Sequence, residues 1–292
     1  VRITTGLMLA FILSLSCAVS QAQDISNDDK QKRRLVVLAP HLVESMFAIG
    51  AGEQIVATTT HSDYPEQAKS IPQIGNYARL QIEKILQLRP DIVVAWRTGN
   101  PAEDLLRLEK YKMPVVYTQP TQLEDVAKEI KLLGELTGRQ DKANEVADAY
   151  LQRLNHLKAE YQAKQPVTVF YELWSRPLRT VAGSSWLQQQ ISACGATNIY
   201  RDLAEDYPQV SLEDVLAKQP QIIIQPSKHG QSQPDAINWQ TWPQIPAVTN
   251  DFILQPNADK VHRMTTRMLD ELELMCRQID QARQFYQQQP ND

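Results

Sequence analysis

The side chains able to do chemistry in this 292-residue chain are few and dispersed. Its five histidines, His41, His61, His156, His229 and His262, show no metal-ligand spacing. G-x-S-x-G, P-loop, G-x-G-x-x-G and H-E-x-x-H patterns are all missing, so the usual nucleophile, phosphate and zinc signatures are absent. For an exported hydrolase or metal-dependent enzyme only two local pairs remain, His41 with Glu44 and His61 with Asp63. The aromatic residues are placed differently, where strands and loops end. Tyr64 sits in Ser62-Asp63-Tyr64-Pro65, Tyr77 follows Gly75-Asn76, Trp96 closes an apolar run, Trp174 follows another, and Tyr207 precedes Pro208. Rings gathered at strand ends make a rigid apolar wall for a large flat ligand, which is binding rather than catalysis.

The elements that must position these rings read as an alternation. Continuous apolar runs at 35–39, 55–58, 92–95 and 115–117 predict strands buried on both faces, with helical periodicity between them at 43–49, 82–88 and 105–111. Strand and helix in alternation predict βαβ units around a mainly parallel sheet, whose ligands bind beyond the carboxyl ends of the strands. From 122 to 164 no strand-like run occurs. Gly134, and Gly138 with Asp141, divide this stretch into two helices, the second spanning about 36 Å at 1.5 Å per residue. A second α/β region follows, with strands at 167–171 and 222–225 and a helical end over 259–286.

Residues 81–94 align without gaps against 211–224 at a constant offset of 130, each copy reading as a short helix begun by a carboxylate, a proline turn and a buried strand. Glu83 and Glu213 are the equivalent carboxylates, where a negative charge also suits the helix dipole. The expected fold is therefore α/β, with two lobes that each carry a parallel central sheet flanked by helices, joined by one long helix and separated by a cleft. The expected division is 1–22 leader, 23–33 flexible segment, 34–140 first lobe, 141–165 linking helix and 166–292 second lobe.

The leader reading rests on Arg2, the apolar run 7–15 and the small residues before Ala22, the layout of a secretory signal peptide cleaved after Ala22. Cys17 offers a lipoprotein alternative. Without the leader, 29 basic side chains face 34 acidic ones, a mildly acidic balance that argues against nucleic acid as partner. Cys194 and Cys276 then remain, an even pair in a compartment that permits disulfides.

Over residues 34–280 the chain resembles the periplasmic cobalamin-binding proteins of the helical-linker class. The resemblance is carried by Leu38-Ala39-Pro40 to Glu44 with Gly50, Ser62-Asp63-Tyr64-Pro65, Pro90-Asp91 to Trp96-Arg97, Pro208-Gln209-Val210-Ser211, and the ending Asp259, Arg263, Arg267, Cys276. It implies a bilobal periplasmic binder of cobalamin or a related corrinoid, monomeric, without catalytic cofactor, delivering its ligand to an inner-membrane ABC permease and ATPase. It implies that Trp96, Tyr77 and Tyr207 line the corrin pocket, with His61 at the ligand face and Asp259 and Arg263 meeting the ligand's amide-bearing rim; Tyr64 and Trp174 join the ligand-binding set as rings at loop and strand ends. His61 stands where an aromatic ring is common, and its imidazole is a candidate cobalt ligand. Glu83 and Glu213 resemble the pair that docks on permease arginines, and Cys194–Cys276 matches the family's disulfide. The same scaffold serves haem and ferric-siderophore binders. In that reading His61, Tyr64 or Tyr77 is an axial iron ligand, and Arg79, Arg97, Arg176, Arg179 and Arg263 face an anionic siderophore.

Overall fold

The computed structural model describes residues 26–228 and 235–289. The expected leader, Cys17 and His229 lie outside the described residues. The first lobe holds α1 (Asn27–Gln31), β1 (Leu35–Val37), α2 (Pro40–Ala48), β2 (Ile55–Thr58), α3 (Ile82–Leu88), β3 (Ile92–Trp96), α4 (Ala102–Lys110) and β4 (Val115–Thr118). Two helices follow, α5 (Asp125–Thr137) and α6 (Gln140–Tyr161). The second lobe begins with β5 (Thr168–Tyr171), the hairpin β6 (Trp174–Ser175) and β7 (Leu178–Arg179), α7 (Trp186–Ala193) and β8 (Thr197–Asn198). It ends with α8 (Leu212–Lys218), β9 (Ile222–Ile224), α9 (Pro246–Thr249), β10 (Ile253–Leu254), α10 (Ala258–Val261) and α11 (Thr266–Gln288).

The strands form two four-stranded parallel sheets, β2-β1-β3-β4 and β10-β9-β5-β8. Numbered within its own lobe and read from the opposite edge, the second sheet repeats the order of the first. Residues 35–37 and 222–224 are fully buried, as parallel strands covered on both faces require. The internal repeat is also visible in local geometry. α3 and α8 each have seven residues and end on a left-handed residue, Arg89 at φ 47° and Gln219 at φ 47°, directly before Pro90 and Pro220. The left-handed residue closes the helix, and proline prevents its continuation.

α6, about 33 Å long, buries Ala143, Ala147, Tyr150, Leu154, Leu157 and Tyr161, a stripe with helical spacing. α5 packs closely against it, because a Cβ on Gly134 would lie 2.3 Å from Ala143 Cβ. One continuous apolar core runs from β1 and α2 through α5 and α6 to β5, β9 and α11. Part of the segment expected to be flexible is helical: Ser26 Oγ caps α1, and Arg33 donates to the Leu136 carbonyl of α5 at 2.9 Å.

The helical ending expected over 259–286 is interrupted. α10 stops at Val261 and α11 starts at Thr266, so residues 262–265 are free to turn toward the first lobe. β6, β7, β8 and β10 are two residues long, too short to leave a periodic signal. Cys194, at the end of α7, is bonded to Cys276 in α11 with Cα atoms 4.7 Å apart. The bridge closes a loop of 82 positions. Replacing both cysteines by serine is expected to lower unfolding stability by about 4 kcal/mol, measured by denaturant titration; a loss below about 1 kcal/mol contradicts that ordering role.

Candidate functional site

Beyond the carboxyl ends of both sheets lies a cleft of about 680 Å³. Trp96, the last residue of β3, and the 119–122 loop after β4 form one wall; Leu173, Trp174, Trp186, Tyr207, His262 and Met264 come from the second lobe. The position is the one open α/β sheets reserve for ligands. Among the described residues lining it are several uncharged hydrogen-bonding side chains, including Thr98, Gln119, Gln122 and Ser184. Among the described lining residues Asp206 is the single carboxylate, and there is no lysine or arginine.

Trp96 is positioned by its own loop. Its backbone N donates to Asn100 Oδ1 at 2.8 Å, and Asn100 Nδ2 donates to the Leu38 carbonyl at 2.7 Å, tying β3's end to β1. The indole lies over Gly99, where an added Cβ would be 1.8 Å from Trp96 Cε3. Behind it the His41 ring meets the indole edge-on at 5.2 Å, and His41 Nε2 stands 3.5 Å from buried Glu129 Oε2. Gly99→Ala is expected to expel the indole from its seat and weaken ligand binding by about tenfold, the equivalent of about 1.4 kcal/mol, read by calorimetric titration. Unchanged affinity would show that Trp96 has no part in binding.

The second-lobe wall hangs on the hairpin. Leu173 N donates to the Arg179 carbonyl at 2.9 Å, and Arg179 Nη1 donates to the Tyr207 carbonyl at 2.7 Å. Burial, with Asp206 nearby, raises the Tyr207 phenol above its ordinary pKa, so it stays protonated. His262 opens on the cleft, and its Nε2 is 3.0 Å from Tyr171 Oη. Desolvation between the cleft walls draws its pKa down to about 4, the Asp259 carboxylate acting in the opposite sense, so the imidazole is neutral at pH 7.

Beside the cleft a buried charge cluster joins the lobes. Glu44 of α2 is 5% exposed and accepts from Arg263 Nη1 at 2.7 Å and from Arg267 Nε and Nη2 at 2.9 and 2.6 Å. Arg263 also donates to Asp63 at 2.7 Å and to the His61 carbonyl at 3.1 Å, with Asp259 at 3.7 Å. The Arg267 guanidinium lies 3.5 Å over the Tyr64 ring. Desolvation acts to raise the Asp63 pKa, but the Arg263 guanidinium outweighs it and holds the carboxyl below its ordinary value.

The structure thus divides the residues singled out from the sequence. Trp96, Trp174 and Tyr207 meet across the cleft. His61, Tyr64, Asp259 and Arg263 gather in the adjoining cluster instead, Arg263 with its guanidinium engaged. Tyr77 stands apart, 79% exposed. The two pairs considered for catalysis are broken up, since Glu44 and Asp63 face Arg263 while His41 faces Glu129. Trp186 and His262 were not singled out: Trp186 begins a helix and reads as core, and His262 sits in a stretch that reads as unbroken helix. Glu83 and Glu213 occupy the first turns of α3 and α8, both exposed, with Arg107 Nη2 3.1 Å from Glu83 Oε1. Each of these helices runs back against the strand that follows it, so both starts lie at the carboxyl ends of the sheets.

Two like-built lobes around a ring-lined cleft define a bilobal solute-binding protein. Residues 35–255 match the model of a family described as periplasmic binding protein. A vitamin B12-binding protein of Vibrio campbellii is 34% identical over 262 residues, which cover 89% of this chain and 94% of that protein. One from Vibrio cholerae is 37% identical over 244 residues, covering 83% and 87%. The crystal structure of the periplasmic vitamin B12-binding protein BtuF of Vibrio cholerae superposes with a TM-score of 0.79 at 36% identity, over 87% of this chain and 98% of that one. The haem-binding protein HutB of Vibrio cholerae shares the fold, at a TM-score of 0.71 and 21% identity. The chain belongs to the periplasmic binding protein family.

Proposed function

We propose that the protein captures cobalamin in the interlobe cleft, in the periplasm after removal of residues 1–22, and delivers it to an ABC permease with its ATPase. The observation that carries the reading is the cleft's chemistry: aromatic rings from both lobes, uncharged hydrogen-bonding side chains, and no cation among the described lining residues. A corrin is a bulky macrocycle with a rim of neutral amides, so rings supply contact area and Gln, Ser and Thr side chains meet the amides. Haem propionates and ferric siderophores call for arginine or lysine. Of the arginines considered for that purpose, Arg263 is engaged by Glu44 and Asp63, Arg179 by the Tyr207 carbonyl, and Arg97 lies 3.8 Å over the Tyr117 ring.

In this reading Trp96, Trp174, Trp186 and Tyr207 contact the macrocycle, with His262 as the imidazole facing it in place of His61. Asp259 and Arg263 act at the cleft's flank. The lobes, 34–140 and 166–292, close by small angles about the linker 141–165, most of which is α6 (Gln140–Tyr161), because a rigid helix and a buried charge cluster both span the junction. The protein performs no chemistry of its own on the ligand. Titration of the purified protein with cyanocobalamin, hemin and a ferric hydroxamate tests the assignment: tight binding of cyanocobalamin alone is expected, and tight hemin or siderophore binding without cyanocobalamin binding overturns it.

A further inference from the structure

Glu172 directly follows β5, is 4% exposed, and was not marked by any feature of the sequence. Its Oε1 accepts from Ser175 Oγ at 2.6 Å and from Ile237 N at 3.1 Å. Its Oε2 accepts from Trp239 Nε1 at 2.6 Å and from Gln225 Nε2 at 2.8 Å. Among the described residues no lysine, arginine or histidine forms an ion pair with it. Four neutral donors therefore compensate a buried charge, and a carboxylate is the one side-chain group of this size that accepts from all four at once.

The donors come from three separate pieces of the second lobe: the hairpin, the residue after β9, and the 237–239 turn. The hairpin end matters most for the cleft. Ser175 is the neighbour of Trp174, Leu173 N is bonded to Arg179, and Arg179 holds the Tyr207 carbonyl. Leu173, Trp174 and Tyr207 all line the cleft, and all three hang from the strand pair that Ser175 pins to Glu172. We propose that Glu172 is a positioning residue for ligand affinity: it sets the register and tilt of the aromatic wall without touching the ligand. This rests on the cobalamin reading of the cleft.

A glutamine in its place turns one oxygen into a donor. The Ser175 hydroxyl can rotate to accept, but Ile237 N–H and Trp239 Nε1–H cannot, so whichever way the amide is set, at least one buried N–H faces another N–H. Both of those N–H groups belong to the 237–239 turn, so the amide is pushed off that turn and its bond to Ser175, the hairpin's tie to the end of β5, is lost with it.

The test compares Glu172→Gln, Trp174→Ala, the double variant and Ser175→Ala with the unmodified protein, using cyanocobalamin affinity, dissociation rate and hydrogen exchange. Glu172→Gln is expected to weaken binding by about 30-fold, mainly through faster dissociation. In the Trp174→Ala background the same change is expected to cost less than about threefold, because its effect runs through that ring. Exchange of the 173–180 amides in the free protein is expected to quicken, with the first sheet unaffected. A purely structural role predicts additive losses and no local change in exchange, and that result overturns the proposal. Should Glu172→Gln fail to fold, Ser175→Ala, which removes only the hairpin's donor, decides: a loss of about fivefold supports the proposal, and wild-type affinity overturns it. Failure of the unmodified protein to bind cyanocobalamin sinks the cobalamin reading and this inference with it. Binding in the unmodified protein with additive variants sinks the inference alone.

Discussion

Glu44→Ala is expected to be the most destabilising single substitution in the molecule, lowering stability by about 3–5 kcal/mol and the melting temperature by on the order of 10 °C. Glu44 is buried and is the only carboxylate on which Arg263 and Arg267 both converge among the described residues. Without it Arg267 retains its contact with the Tyr64 ring but has no ion pair among the described residues, while Arg263 falls back on Asp63 and Asp259. The cost comes from leaving a desolvated guanidinium uncompensated rather than from losing a favourable bond, since the net worth of an intact buried pair is small. Glu44→Ala and Arg267→Ala together should therefore cost less than the separate losses added, a coupling that a double-mutant cycle measures. A melting temperature within about 2 °C of wild type for Glu44→Ala would mean that the cluster does not hold the lobes together.

Lysine at both Glu83 and Glu213 is expected to abolish cobalamin uptake by cells while cyanocobalamin affinity in the purified protein stays within about twofold of wild type. The two residues occupy equivalent first turns at the cleft end of their lobes, so a partner touching both spans the cleft mouth. Complementary charge at two points speeds and orients encounter, and reversing both brings like charges together at a cost of several kcal/mol, on the order of a thousandfold or more in docking. The points differ in one respect: Arg107 already pairs with Glu83, so a partner docking there would have to compete with it. A large loss of cyanocobalamin affinity in the purified double variant would contradict the separation of docking from binding; so would undiminished uptake.

The fold was largely legible because its signals are repeated. Fully buried parallel strands write themselves as unbroken apolar runs, and the 130-residue offset announced two lobes; the shared strand order and the matching left-handed residues Arg89 and Gln219 are the structural form of that offset. The cleft was legible where a ring stands at the end of a strand or in a proline-marked loop, as at Trp96, Trp174 and Tyr207. Arg263 illustrates the limit: its type and position marked it as functional, but its partner Glu44 lies 219 positions away, and nothing local distinguishes a guanidinium aimed at a ligand from one held by a distant carboxylate. Glu172 was silent for the same reason. A carboxylate at the end of a buried strand carries no periodicity, and its four donors come from places that only the tertiary structure brings together.

The buried stripe of α6 bears on what the halves are. One face of each sheet packs on a cluster from its own half, but the other face looks into a hydrophobic interior that both sheets share and that the apolar side chains of α6 complete, so neither half is finished alone. The repeat in the sequence describes two similar shapes, yet the largest part of the interior that keeps them folded is held in common, so one lobe is not a transplantable module: severed at the junction, each fragment would present to water the greasy face that its counterpart now covers.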